Sequence, residues 1–514
     1  MLTRQFLKVL VAGFFIIPSV FAESEVALRY RYKDAQTSQI ESGEEYFSVN
    51  PNSNFLSDPA IEKTLLVIKM ANSLNSWLIN FRTSDEQPSE DCADRRLAIA
   101  DQVLAEVAKY SDEIQNNLSI LSDEKLFEVL DLFRKLAQNM KDYKEEVFEE
   151  EEFMPSYGAL PVAGPALPPP SLPGAIGAAR GSLGVTTGGA QDFAFVRKLI
   201  NNGRVPQAES FDTKGFLGEF ELSTSLGCDK LLCVEPLYKV DSANKKLFVQ
   251  IALGTNVKEA EFKRKPLNLA LVIDISGSMA ATDDTQKSRL EWAKEAAIKT
   301  LAQLNYQDAL SIVLFDDDSE VLLPMTALGS EENKAGIMAK ISALETRGST
   351  NLYAGIKSAY ELVSQYAATH AGRENRLILI SDAGLNTGII DEATTLRLVS
   401  DYASEGIGLT AIGLGENFNQ DFILGISKSV GGNYLYVHSG KDLTRYFESF
   451  DFLVSPVAFG FKASLDLGDL KATFANAYGL PMAREERPYE FINVQTLFFT
   501  SQGGGAMLLE YDLK

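Results

Sequence analysis

The sequence predicts a multidomain protein built around an α/β doubly wound, Rossmann-like domain at residues 266–452. That domain is inserted between β-rich flanks expected to form one sandwich, and a helical N-terminal region precedes them. Three observations carry this reading. Apolar runs of strand length, "LNLALVIDIS", "ALSIVLFD", "RLILISDA" and "GIGLTAIGLG", alternate with amphipathic stretches such as "SRLEWAKEAAIKTLAQL" and "NLYAGIKSAYELVSQYA". Runs that are apolar throughout imply burial on both faces, as in a mainly parallel sheet covered by helices on each side. From about residue 453 helical periodicity stops, and "VAFGFKASLDL", "NVQTLFFTS" and "AMLLEYDL" read as antiparallel strands. Upstream, residues 55–152 repeat apolar side chains at three- and four-residue intervals with few Gly or Pro, the pattern of a small helical bundle. A chain of 514 residues exceeds what one core organises, so several domains are expected.

Taken in order, residues 1–22 have the form of a secretory signal peptide. Arg4 and Lys8 precede an apolar stretch that ends in Val20-Phe21-Ala22, a small-x-small cleavage site. No cysteine near it could take a lipid. Export to the periplasm, cell surface or medium is the expectation, with no integral membrane segment after cleavage. The helical region, placed at 23–152, closes in "EEVFEEEE", a solvated helix end. Residues 153–190 form a Pro/Gly-rich linker; seven prolines within 153–179 rule out a membrane-spanning helix there and favour an extended chain.

The first β-rich flank spans 191–265. It opens with a short helix at 191–202 and turns strand-like from 216, with "KLFVQIAL" as its clearest strand. Cys228 and Cys233 are near enough to bridge in an oxidising compartment, although two buried thiols fit the spacing equally well, and Cys92 is left over. In the α/β domain, Asp316, Asp317 and Asp318 mark a turn between two strands, hence a hairpin at a sheet edge rather than a calcium loop. The second β-rich flank is 453–514. Lys514 follows directly on a strand, as in a piece of a longer architecture.

Lys and Arg number 48 against 70 Asp and Glu, a net charge of −22 that disfavours nucleic acid and anionic lipid as partners. A cation or a basic surface suits it better. In a parallel sheet the loops at the carboxyl ends of the strands converge, and three of these loops end in oxygen donors. The first supplies Asp274, Ser276 and Ser278, the second ("TRGSTNLYAG") Thr350, and the third ("LISDAG") Asp382. Two carboxylates and three hydroxyls are hard ligands with too little charge for a closed cage, which suits a divalent ion completed by water or by a partner's oxygen. Taken singly, each could be a helix cap. Together they lie at strand-to-helix transitions of one sheet.

These segments resemble a von Willebrand factor A domain over residues 267–450. "VIDISGSM" is similar to the family's Asp-x-Ser-x-Ser element, "GSTNL" to its threonine loop and "ISDAGLNTG" to its second aspartate loop. The resemblance implies a metal-ion-dependent adhesion site made of Asp274, Ser276, Ser278, Thr350 and Asp382. It also implies Mg²⁺ (or Mn²⁺/Ca²⁺) as the ion, a protein partner contributing an acidic residue, and a last helix near "KDLTRYFESF" whose shift could switch affinity. Ala383 stands where many members have glycine, with Gly384 one place later. The flanks look distantly similar to the surroundings of this domain in bacterial exported proteins and in inter-alpha-trypsin inhibitor heavy chains. An enzyme is not expected. The two histidines, His370 and His438, belong to no recognisable triad, zinc or phosphate motif. A structural scaffold in the envelope, with a merely stabilising ion, is the other alternative. A basic side chain of the protein's own filling the pocket would count against the adhesion-site reading.

Overall fold

Strand β6 (Leu267–Asp274) is buried at every position and forms the axis of the α/β unit. Its alternate residues face different layers: Leu267, Leu269, Leu271 and Ile273 join one core, and Ala270 and Val272 join another. The computed structural model describes residues 24–51, 59–83, 92–121, 123–143, 183–187, 193–211, 213–222, 228–282, 286–382, 387–414, 422, 425–426, 428–437, 446–447, 449–480, 491–500 and 506–514. Residues 1–22, the acidic run, the proline-rich stretch 153–179, Ala383, Gly384, His438 and most of "KDLTRYFESF" lie outside them.

Around β6 the sheet runs β11-β10-β9-β6-β7-β8. Its other members are β7 (Ala309–Phe315), β8 (Ser319–Ala327), β9 (Glu374–Ser381), β10 (Ile407–Leu414) and β11 (Asn433–Val437). All neighbours pair in parallel except β7 and β8, an antiparallel edge hairpin turning at Asp316–Asp318. Helices α7 (Arg289–Gln303) and α8 (Glu331–Ser342) cover one face, and α9 (Leu352–Ala367) and α10 (Glu392–Ser404) the other. The chain leaves β6 through α7 to β7 on one side and returns through α9 to β9 on the other. The carboxyl end of β6 is therefore the switch point of the sheet, where a crevice opens.

Two further sheets, β2-β1-β12-β14-β3 and β13-β15-β5-β4, share one core. They join β4 (Cys233–Asp241) and β5 (Lys246–Gly254), from before the α/β unit, to β12 (Pro456–Asp466), β13 (Ala472–Tyr478), β14 (Phe491–Thr500) and β15 (Met507–Leu513), from after it. The direct link is the antiparallel pairing of β5 with β15. Cys228 and Cys233 form a disulfide, their Cα atoms 5.7 Å apart.

Three boundaries need correcting. The region 23–152 is not helical from its start: β1 (Ser24–Asp34) and β2 (Ile40–Val49) are strands, and β1 pairs with β12. The charged, period-two segment "ALRYRYKD" forms a local hairpin with β2 on one side and pairs with β12, more than 400 residues downstream, on the other. Helices α1 (Pro59–Thr83), α2 (Cys92–Asn116), α3 (Leu118–Leu121) and α4 (Glu124–Asp142) follow. Within the expected linker 153–190, Gly184–Thr187 is strand β3 on β14, too short to carry a period of its own. The 191–265 flank starts with α5 (Ala194–Asn201) and α6 (Thr213–Gly218), so residue 216 lies in a helix rather than a strand. Phe193, Val196, Phe216, Leu217 and Phe220 bury themselves in the core of α1–α4, which supplies the apolar surface these short helices need. Among the described residues no helix is long and apolar enough to cross a membrane.

Where the chain passes into and out of the α/β unit, Arg264 clamps its base. Arg264 Nη1 and Nη2 donate to the two oxygens of Asp308 at 2.8 and 2.7 Å, and Nε donates to Asp451 at 2.5 Å.

Candidate metal centre

Asp274 ends β6, and its carboxylate organises the loop that follows. Ser276 N donates to Asp274 Oδ1 at 2.9 Å, and Ser381 Oγ, from the last residue of β9, donates to Oδ2 at 2.6 Å. The hydroxyls of Ser276 and Ser278 lie 3.1 Å apart. Gly277 N donates to Gly348 O (3.0 Å) and Arg347 N to Ile275 O (2.7 Å), lacing the first loop to the threonine loop. Thr350 is buried beside them, and Thr387 N donates to its carbonyl at 3.2 Å, which ties in the third loop beyond Asp382.

The Asp316–Asp318 turn explains why the threonine loop holds its shape. Asp317 Oδ1 accepts from Ser349 N (3.0 Å), Asp316 O accepts from Asn351 N (2.6 Å), and Asp316 Oδ2 accepts from Arg347 Nε (2.5 Å). Gly348 permits this approach. It sits at φ +65°, and a Cβ there would fall 2.7 Å from Asp317 Oδ2. Asn351 then caps α9 by accepting from Ala354 N. Asp316 and Asp317 thus serve as a buttress for the loop.

Asp382 is buried next to Asp274, and one cationic side chain already reaches it. Arg289, the first residue of α7, donates from Nη1 to Asp382 Oδ2 at 2.6 Å and, more weakly, to Ser278 O at 3.4 Å. Asp274 has no ion-pair partner among the described residues. Burial pushes its carboxyl up to about 6; the hydrogen bonds from Ser276 and Ser381 pull down, and the charge of Asp382 adds to the rise. The centre therefore places two buried carboxylates and three hydroxyl-bearing residues around one guanidinium that touches only one of the acids. A small divalent cation fits such a donor set: hard oxygens, an excess of buried negative charge, and Ser278 open to solvent.

All five residues singled out in the sequence lie on these three hydrogen-bonded loops. Two participants escaped that reading. Ser381 was legible as the polar residue that closes the apolar run Leu377–Ile380. Arg289 was hidden, because a basic residue after a capping serine reads as an ordinary solvated helix position. His370 lies past the far end of α9, stacked on Tyr366. A 16-residue helix, about 24 Å long, separates it from Thr350.

Residues 269–385 match the family model of the von Willebrand factor type A domain, so the chain carries such a domain, and the matched stretch includes all three loops. Among known proteins, the chain is 26% identical over 278 residues to the uncharacterized protein YfbK of Escherichia coli, covering 52% of this chain and 46% of that protein. It is 26% identical over 183 residues to inter-alpha-trypsin inhibitor heavy chain H3 of Homo sapiens, covering 35% and 20%. The chain spans less than half the length of these relatives. A solved von Willebrand factor type A structure from Catenulispora acidiphila aligns at 13% identity and a TM-score of 0.38, covering 55% of this chain and 65% of that one.

Proposed function

We propose that the protein is an exported, non-catalytic interaction module that captures a partner protein through a divalent ion, Mg²⁺ by preference, held by Asp274, Ser276, Ser278, Thr350 and Asp382. The observation that carries this is the uncompensated charge at the rim: two adjacent buried carboxylates with one guanidinium on only one of them. Such an ion supplies an open coordination position for a partner's carboxylate. The chain's own residues do the rest. Ser381 and the Ser276 amide aim Asp274, the Asp316–Asp317 buttress positions Thr350, and the apolar strands keep the loops rigid. The α/β unit then acts as an insert carried by the flanking sandwich, with the helical layer packed behind. The signal-like residues 1–22 and the Cys228–Cys233 disulfide support an oxidising, exported location, periplasmic or at the cell surface.

The test is capture of partners from envelope extract in Mg²⁺ and then in EDTA. Capture should depend on the ion and disappear in the Asp274→Ala/Ser276→Ala variant while its circular dichroism stays unchanged; capture that persists in chelator refutes the reading. The Arg289–Asp382 pair favours a second reading, in which the centre balances part of its charge internally and any ion is only structural. In that case Mg²⁺ raises the melting temperature strongly without supporting capture, whereas a site completed by a partner gains only modest stability from the ion alone.

A further inference from the structure

At the opposite end of the parallel sheet from the metal centre, a cavity of about 400 Å³ opens between the α/β unit and the sandwich. Its volume lies in the range of small-molecule sites, which favour domain junctions. One wall comes from the first residues of β9 and β10, Glu374 and Gly408, together with Gly431; the other comes from β1 and β12.

The sandwich wall is built by an irregularity. Arg31 stands opposite Lys462 but Lys33 opposite Phe459, so β12 carries one extra residue there. Gly460 sits in the bulge at φ +56°, a conformation that favours glycine. Bulges of this kind re-aim side chains next to binding sites. Arg31 and Lys33 keep the exposed face of β1 and Tyr32 the buried one, and all three border the cavity beside the bulge.

Its lining carries the cationic side chains Arg31 and Lys33 against the acid Glu374, and Asp34 and Glu41 act on Tyr32 beside it. Arg31 and Lys33 are exposed, and neither has an ion-pair partner among the described residues, in a chain whose net charge is −22. Behind the opposite wall lies Arg376, fully buried, with Nε and Nη1 making no hydrogen bond. Its Nη2 donates to Gly431 O at 2.9 Å, and a Cβ on Gly408 would come within 2.8 Å of Nη1, so glycines separate this charge from the cavity. The single acid in the lining, Glu374, is pushed up to about 7 by burial against the pull of Arg376 and Lys265, so it is only partly charged near neutrality, and its Oε1 lies 3.9 Å from Arg376 Nη1. The remaining walls are mostly apolar, and Ile40 at the mouth keeps 67% of its surface exposed.

We propose that this cavity binds a small amphipathic organic anion, its apolar body against Tyr32, Ile40 and Phe459 and its head between Arg31, Lys33 and the glycine wall over Arg376. The site shares no residue with the metal centre and stands or falls independently of it.

Calorimetric titration of the full chain with three probes of matched tail tests the assignment: 1-octanesulfonate, 1-octanol and octylammonium. The sulfonate should bind about tenfold or more tighter than the alcohol, and the ammonium weakest. The Arg31→Gln/Lys33→Gln variant should lose about tenfold for the sulfonate and less than about twofold for the alcohol. Ile40→Asp, a substitution at an exposed position that leaves the fold undisturbed, should weaken the sulfonate similarly at unchanged melting temperature. Equal binding of all three probes, no heat from the sulfonate at millimolar concentration, or a sulfonate affinity indifferent to both variants overturns the proposal.

Discussion

The two ends of the α/β unit each pair an arginine with a buried aspartate, and they do so differently. At the base, Asp308 accepts from both Arg264 Nη1 and Nη2 and also from Leu267 N (2.8 Å) and Asn305 N (2.7 Å). The second acid there, Asp451, keeps 50% of its side chain in solvent, where water screens it. At the rim, Arg289 meets Asp382 through one nitrogen, while the second acid, Asp274, is fully buried and held by Ser276 and the Ser381 hydroxyl, with no ion-pair partner among the described residues. The same pair of residue types makes a structural clamp where the donors saturate the carboxylate and its neighbour is hydrated. On the proposed reading it makes a cation-seeking centre where the excess charge is shut away from water.

The largest expected effect breaks the clamp. Arg264→Met leaves Asp308 buried without its cation and should cost about 3–5 kcal/mol in urea unfolding. Arg289→Met, at the rim, should cost less, about 1–2 kcal/mol, because that contact is made through one nitrogen and Arg289 is partly in solvent. Equal costs would erase the distinction.

Next in size is the charge on Asp274. Its folded carboxyl lies near 6, above the unfolded value of 3.8, so the folded protein binds more protons between those limits and stability falls as pH rises through them. Asp274→Asn should therefore stabilise the ion-free protein at pH 7 by about 3 kcal/mol and flatten its melting temperature between pH 4 and 6, measured by calorimetry in EDTA. A destabilised Asn variant would mean that Asp274 is already paired with a cation.

The smallest effect sharpens the rim. Arg289→Gln removes a charge that competes for Asp382, so Mn²⁺ affinity followed by electron paramagnetic resonance should rise by about tenfold. Weaker Mn²⁺ binding would instead make Arg289 a supporting member of the site.

Much of this was legible because the α/β unit is built from local signals. β6, β7 and β10 are buried at every position, and each candidate residue ends or follows a buried strand or precedes the next helix, so pattern and place coincide. The strands of the sandwich were harder to read. β1 alternates charge with apolar residues at its end and, besides its local hairpin with β2, pairs with β12; β3 has four residues and pairs with β14, and both of these partners lie hundreds of residues away. Arg289 was unreadable for a related reason: its partner Asp382 lies 93 positions along the chain.

By itself, then, the sequence determined where strands are buried on both faces and which oxygen-bearing residues stand at their ends, because hydrophobic period and turn chemistry act over a few residues. Tertiary structure decided which loops meet, that Asp316 and Asp317 brace the threonine loop, that Arg289 rather than solvent faces Asp382, and that a bulged strand opens a cation-lined cavity at the base. Those outcomes depend on burial and on charges brought within a few ångströms from distant segments, quantities that no local window of sequence contains.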